Sequence, residues 1–356
     1  MAVKTIKHRC FKPQISRFFL PLLFAFLMTA NPAHSNDGIS AKAEAFISGV
    51  NNAEDLIRVP GAPFVIASGR ISDQEGQLYA INTETANVIE MFPDNALPPE
   101  AGTEASYGCP GPTSRFQPHG VSIRPGEGQQ HTLYVVGHGE REAIEIFSLN
   151  VDGAVPALRW TGCIPAPAEV DRFNAITALP DNRIAVTNLP PRESINRGGG
   201  EVWEWSSTSG WRVVPGSTMH GPNGVVSSPD GAWLYVAEYF NRTLVKISRG
   251  QQPPIVQRVS VNYSIDNIRW SQQGQLMLTA HDRNCQNNGE CAKISATHVL
   301  TADPGSLNVN WLFSYATRAE FPIGTVVVDV DQELWMGGIF NTERVMRFKK
   351  PIESVD

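Results

Sequence analysis

A unit recurs six times along this chain, and the repetition constrains the fold more than any other feature. Each copy has a short polar dipeptide, an alternating apolar stretch, a turn rich in Pro, Asp or Gly, and then a β-rich run. In order the copies are AEDLIRVPGAPFVIASG from Ala53, PHGVSIRPGEGQQHTLYVVGH from Pro118, FNAITALPDNRIAVTN from Phe173, PNGVVSSPDGAWLYVAEY from Pro222, IDNIRWSQQGQLMLTAH from Ile265 and IGTVVVDVDQELWMGG from Ile323. The apolar residues that open the second run are Phe64, Leu133, Ile184, Leu234, Leu276 and Leu334, separated by 69, 51, 50, 42 and 58 residues. Each copy reads as two antiparallel strands joined by a tight turn, and the interval to the next has room for two more, as in EVWEWSSTSGWRVV from Glu201. The expectation is an all-β, six-bladed β-propeller of four-stranded blades, built as one domain over residues 36–356. A β-sandwich of the same composition has no reason to repeat a polar dipeptide at a near-constant offset from a strand.

The first 35 residues follow a different rule. Lys4, Lys7, Arg9, Lys12 and Arg17 occur with no acid, followed by the apolar run Phe18 to Ala30 and by Ala33-His34-Ser35, with small residues at the −3 and −1 positions of a cleavage site. The segment reads as a secretory signal peptide, too short and too interrupted by Pro21 for a membrane span, so a periplasmic or secreted protein is expected. Its removal takes the formal net charge from −6 to −11, which argues against a nucleic-acid partner. Four cysteines then remain, with no CxxC pair to favour zinc, and in an oxidising compartment two disulfides are expected. Cys109 lies 10 residues before His119 and Cys163 lies 11 before Asn174, so the repeat register pairs these two, leaving Cys285 with Cys291 in the polar segment CQNNGEC.

The first residue of the dipeptide is Glu54, His119, Asn174, Asn223, Asp266 and Gly324 in the successive copies. In a propeller the first strand of each blade lines the central channel, so these positions form a ring around one mouth. Any one Asn or Asp alone is better explained as a turn residue bonding its own backbone. Together, two carboxylates (Glu54, Asp266) and the amides of Asn174, Asn223 and the adjacent Asn267 are a hard-oxygen set that suits calcium rather than zinc or copper. Without a cation the two carboxylates would repel each other in a narrow channel. His138 and His281 each lie five residues after their anchors, at the end of the second strand, which returns them to the face of the ring. His119, His138 and His281 are therefore candidates for general base or substrate contact.

AEDL, PHGVS, VVGH, FNAI, PNGVVSSPDG, IDNI and the terminal GTVVV…ELWMGG resemble the paraoxonase/arylesterase family in order and spacing, and more widely the gluconolactonase/regucalcin and strictosidine synthase-like propellers. The resemblance implies that Glu54, Asn174, Asn223, Asp266 and Asn267 hold a catalytic calcium. It implies that His119 and His138 form a dyad activating water for lactone or ester hydrolysis, and that His281 lines the active site. Asp266 could instead be the base or nucleophile. A second, structural calcium of that family uses the acid after Glu54, kept here as Asp55, and an acid where this chain has Ala175. One catalytic Ca2+ and a small-molecule lactone or ester are the expected cofactor and ligand. The rival reading is a non-catalytic, calcium-stapled propeller that binds a ligand or protein, and the histidine set separates the two, because a structural ion needs no imidazole at its open face.

Overall fold

The computed structural model describes residues 41, 43, 45–70, 75–98, 109–190, 199–283 and 293–351. All regular secondary structure among them is strand, arranged as six four-stranded antiparallel sheets. Blade one is β2 (Ala53–Arg58), β3 (Phe64–Gly69), β4 (Gln77–Asn82) and β5 (Val88–Phe92). Blade two is β6 (Phe116–Pro125), β7 (Gln130–Gly139), β8 (Ala143–Asn150) and β9 (Ala157–Pro165). Blade three comprises β10 (Phe173–Ala178), β11 (Ile184–Asn188), β12 (Glu201–Ser206) and β13 (Gly210–Val213). Blade four comprises β14 (Pro222–Ser227), β15 (Trp233–Glu238), β16 (Thr243–Ser248) and β17 (Val256–Ser260). Blade five follows as β18 (Ser264–Trp270), β19 (Leu276–His281), β20 (Ala296–Ala302) and β21 (Val309–Ala316).

Blade six departs from the simple repeat. After β22 (Ile323–Val330), β23 (Glu333–Ile339) and β24 (Arg344–Lys349), its fourth strand is β1 (Ala45–Ser48), which pairs with β24 in the register Phe46↔Met346 and Ile47↔Val345. The first and last segments of the propeller thus share one sheet and leave no open blade edge at the seam.

Inner strands β2, β6, β10, β14, β18 and β22 each pack beside the inner strands of the two neighbouring blades, which closes the ring. Burial follows from that closure. β3, β16 and β19 are buried at every residue because both of their faces are covered, whereas the outer strands β13 and β17 stay largely open to solvent. Apolar packing is divided among the blade interfaces. Phe64, Leu78 and Phe92 of blade one meet Phe116, Leu133 and Phe147 of blade two, for example, and Val226 and Tyr235 of blade four meet Ile268 and Leu278 of blade five. The turns carry the expected chemistry: in Ser228-Pro229-Asp230-Gly231, Asp230 Oδ1 accepts the Ala232 N–H at 3.0 Å and Gly231 adopts φ 70°.

Cys109 and Cys163 are joined in a disulfide with Cα atoms 5.9 Å apart. Cys163 sits on β9, so the bridge ties the chain entering blade two to that blade's own outer strand rather than joining the approaches to two neighbouring blades. Cys285 and Cys291 lie outside the described residues, as does the segment 1–35.

Candidate active site

In every blade the ladder between the first two strands breaks at the repeated dipeptide. Register slips between Ala53 and Asp55, Pro118 and Val121, Phe173 and Ile176, Pro222 and Val225, Ile265 and Ile268, and Gly324 and Val326. A bulge leaves one residue without a ladder partner and re-aims its side chain. Glu54, His119, Asn174, Asn223, Asp266 and Asn267 thereby share one end of the inner strands, and all are buried. Gly120 and Gly224, the residues after His119 and Asn223, permit the close approach of neighbouring bulges. A Cβ on Gly120 would lie 2.5 Å from the Asn174 carbonyl oxygen, and one on Gly224 would lie 2.6 Å from that of Asp266.

Contacts join these residues in two sets, one around Glu54 and His119 and the other between Asn223 and Asp266. His119 Nε2 is 3.3 Å from Glu54 Oε1 and 3.5 Å from Asn174 Nδ2. Asn267 Nδ2 donates to the Glu54 carbonyl at 3.5 Å, and Asn223 is hydrogen-bonded to the Asp266 carboxyl. Burial raises the pKa of Glu54, and it raises that of Asp266 well above the usual carboxylate range, with the charge of Glu54 adding to the effect. Glu54 Oε2 and Asn223 Oδ1 are buried acceptors without a hydrogen-bond partner. Such orphaned oxygens are rare and costly in native interiors, and a dication bound at this ring would satisfy acceptors of this kind and offset the repulsion of the two carboxylates. Among the described residues no three His, Cys, Asp or Glu side chains cluster as a metal site, so an ion here would complete its shell with amide oxygens. The donor set fits calcium on that basis.

A second line of contacts runs outward from the ring. His119 Nδ1 lies 2.9 Å from His138 Nε2, and His138 Nδ1 lies 2.7 Å from Glu142 Oε2. Glu142 is itself held, because its Oε1 accepts the Phe173 backbone N–H at 2.7 Å. A carboxylate can only accept, so His138 carries its proton on Nδ1 and accepts at Nε2 from His119 Nδ1–H. This order leaves the lone pair of His119 Nε2 facing the oxygen ring. Burial, and then the charges of Arg70 and His138, hold His119 well below the ordinary histidine value. Burial lowers His138 too, against the opposing pull of Glu142.

His281 is differently placed. Its Nε2 donates to the Gly324 carbonyl at 2.8 Å, its Nδ1 lies 3.1 Å from the Tyr239 hydroxyl, and Asp266 Oδ2 is 3.8 Å from Nε2. Both ring nitrogens are therefore engaged, and burial brings the imidazole pKa down to about 4. Such a group stays neutral and orients Tyr239, whose hydroxyl is pushed up to about 12 by burial and by Asp266.

Asp55, next to Glu54, faces deeper into the channel and is fully committed. Its Oδ2 accepts from Arg269 Nη2 and from the Val121 N–H at 2.8 Å, while Oδ1 accepts the Leu56 N–H at 2.9 Å. Arg269 in turn donates to the carbonyls of Leu56, Val121 and Ile268. A guanidinium thus satisfies Asp55 from within the channel. A cavity of 760 Å³ opens beyond it, lined by the far ends of the inner strands at Arg58, Arg124, Ala178, Ser227 and Trp270, and it contains none of the candidate site residues.

No family model and no curated protein matches this chain. Solved structures share its fold. A gluconolactonase from Xanthomonas campestris aligns at 13% identity and TM-score 0.52 over 86% of this chain and 89% of its own. A calcium-binding regucalcin from Agrobacterium tumefaciens aligns at 8% identity and TM-score 0.53 over 88% and 95%, and a luciferin-regenerating enzyme at 13% and 0.51 over 86% and 93%. The chain is a six-bladed β-propeller of the architecture that these proteins share.

Proposed function

We propose that the protein is a calcium-dependent hydrolase of lactones or carboxylic esters, akin to the paraoxonase/arylesterase branch that its repeat motifs resemble. The observation that carries this reading is the Glu142–His138–His119 relay ending 3.3 Å from Glu54, at a ring with two orphaned acceptor oxygens. A non-catalytic propeller stapled by an ion has no use for an oriented imidazole pair at that ion's open face. A gluconolactonase and a calcium-binding regucalcin among the structures of the same fold agree with lactone chemistry and with calcium.

Glu54, Asn174, Asn223, Asp266 and Asn267 would hold the ion. When bound, calcium would polarise the substrate carbonyl and stabilise the oxyanion that develops on it. His119 Nε2 takes the proton from the attacking water. Positive charge that develops on His119 is then met through Nδ1–H by His138 Nε2, with Glu142 stabilising His138 at Nδ1. His281 and Tyr239 form a neutral wall beside Asp266 and take no proton in the working pH range. The Cys109–Cys163 disulfide and the leader-like segment 1–35 fit export to an oxidising compartment, where millimolar calcium is also available.

A panel of aryl esters, aldonolactones and acyl-homoserine lactones, assayed with calcium and with excess chelator, tests this function. The proposal expects turnover on at least one class and its loss on chelation. Absence of turnover on every class in calcium-loaded protein would overturn it.

A further inference from the structure

Arg70, the residue after β3, directs its Nη1 to within 3.5 Å of His119 Nε2 and so stands at the reacting centre. It is partly buried. Glu54, Asp266 and Glu142 all act on it through space, yet among the described residues no carboxylate lies at ion-pair distance. Arg172, directly before β10, is also partly buried, and its positive charge bears on Arg70, His119 and His138. Its backbone N–H is fixed by Asn188 Oδ1 at 3.2 Å, but its guanidinium likewise has no carboxylate partner among the described residues. Elsewhere several guanidiniums are matched with oxygen acceptors: partly buried Arg141 with Glu145, Arg249 with Glu204 and Arg347 with Glu333, buried Arg269 with Asp55, and partly buried Arg124 and Arg159 with the carbonyls of Arg183 and Pro98. Two unmatched cations that repel each other beside a desolvated site carry a cost that a bound anion removes.

The charge balance of the site points the same way. A bound calcium would cancel the charges of Glu54 and Asp266, and the charge of Glu142, acting through space, would offset one guanidinium. One positive charge would then be left at this mouth, in a protein whose overall charge is negative. We propose that the natural substrate is an anionic lactone or ester, with a carboxylate on a short arm from the reacting carbonyl, and that Arg70 and Arg172 grip that carboxylate. This rests on the hydrolase reading and narrows its substrate class. A guanidinium presents paired N–H donors that match the two oxygens of a carboxylate. Because Arg70 already touches the base, the bound anion lies close to the scissile bond and a long spacer would overshoot.

The test uses γ-lactones and aryl esters, each prepared as a carboxylate and as its carboxamide isostere, with the calcium-supplemented full chain. Isothermal titration with glutarate and with glutaramide provides a reading independent of turnover. The expected result is a preference of roughly tenfold or more in kcat/KM for the carboxylate member, shrinking with added salt. Arg70→Gln and Arg172→Gln should each lower that ratio and weaken glutarate binding, while the Arg→Lys variants restore part of both. Hydrolysis without a carboxylate preference would overturn the substrate class and leave the hydrolase reading standing. Arginine-dependent glutarate binding with no hydrolysis would uphold the anion site and sink the hydrolase reading. Failure of glutarate to bind, together with no turnover, would contradict both.

Discussion

His119 and His138 share a single hydrogen bond of 2.9 Å between Nδ1 and Nε2, and their rings meet edge-on with centroids 5.2 Å apart. One proton lies between them, so the tautomer of one dictates that of the other. Glu142 makes the choice, since its carboxylate can only accept from His138 Nδ1. The relay spans the inner and second strands of blade two and the turn between β7 and β8, all of them rigidly tied to the ring of oxygens.

His119→Gln should lower turnover by about 10²–10⁴-fold with calcium affinity close to that of the parent protein, because the residue moves a proton and does not hold the ion. Glu142→Gln should lower kcat by a smaller factor and move the acid limb of the pH profile downward, since Glu142 raises the pKa of His138. Steady-state kinetics across pH, with calcium titration of each variant, reads both effects. Wild-type turnover in His119→Gln would transfer the role of base to Asp266.

Arg269→Met should destabilise the protein by about 3–5 kcal/mol, because it strands the Asp55 carboxylate in the channel without its partner. The double variant Asp55→Asn/Arg269→Met should lose distinctly less than the sum of the two single losses, as expected for a buried pair in direct contact. Denaturant unfolding of the four proteins in excess calcium measures this. Additive losses would show that the pair does not act as a unit.

The repeat made the fold legible because a blade is a local object. Two strands and a tight turn leave their period in some twenty residues of sequence, and the anchors Phe64, Leu133, Ile184, Leu234, Leu276 and Leu334 all fall on the second strand of a blade. The closure of blade six by β1 was not legible, because a strand as short as Ala45–Ser48 acquires its meaning only from a partner some 300 residues away. Candidate site residues at the fixed dipeptide offset could be read directly, whereas Arg70, Tyr239 and Arg269 act through contacts between blades that periodicity does not encode. Glu142 was within reach. With Gly137 opposite Ala143 in the β7–β8 hairpin, the next pair outward brings Glu142 beside His138, so hairpin register alone would have joined them. Arg269 also left a signal, a cation in the apolar run of an inner strand, which has to find an acid.

The thermal stabilisation conferred by calcium should increase with pH. Glu54 and Asp266 hold their protons more tightly in the metal-free folded chain than in the unfolded chain. Their contribution to metal-free stability is therefore present below the unfolded values of about 4 and is lost as pH rises through the raised folded values. Calcium needs both as carboxylates, so its binding releases protons and strengthens as pH rises. The buried histidines contribute in the opposite sense, with stability lost as pH falls below about 6.5, but they do so with and without the ion. The difference in Tm between calcium-loaded and chelated protein, followed from pH 5 to 8 (roughly the range of interest for these groups), isolates the carboxylates. A difference that stays flat or shrinks would mean that the ion does not displace their protons.

The proposed function requires that calcium bind the oxygen ring and that the reaction depend on it there. Isothermal calorimetry of chelator-stripped protein with calcium, run on the parent chain, Asp266→Ala and Asn174→Ala, tests it most directly. The account predicts one strong site in the parent chain, a loss of affinity in Asp266→Ala clearly greater than in Asn174→Ala because a charge rather than a neutral carbonyl is removed, and hydrolytic activity that rises with calcium occupancy. Full activity in excess chelator, or calcium binding that neither substitution weakens, would contradict it.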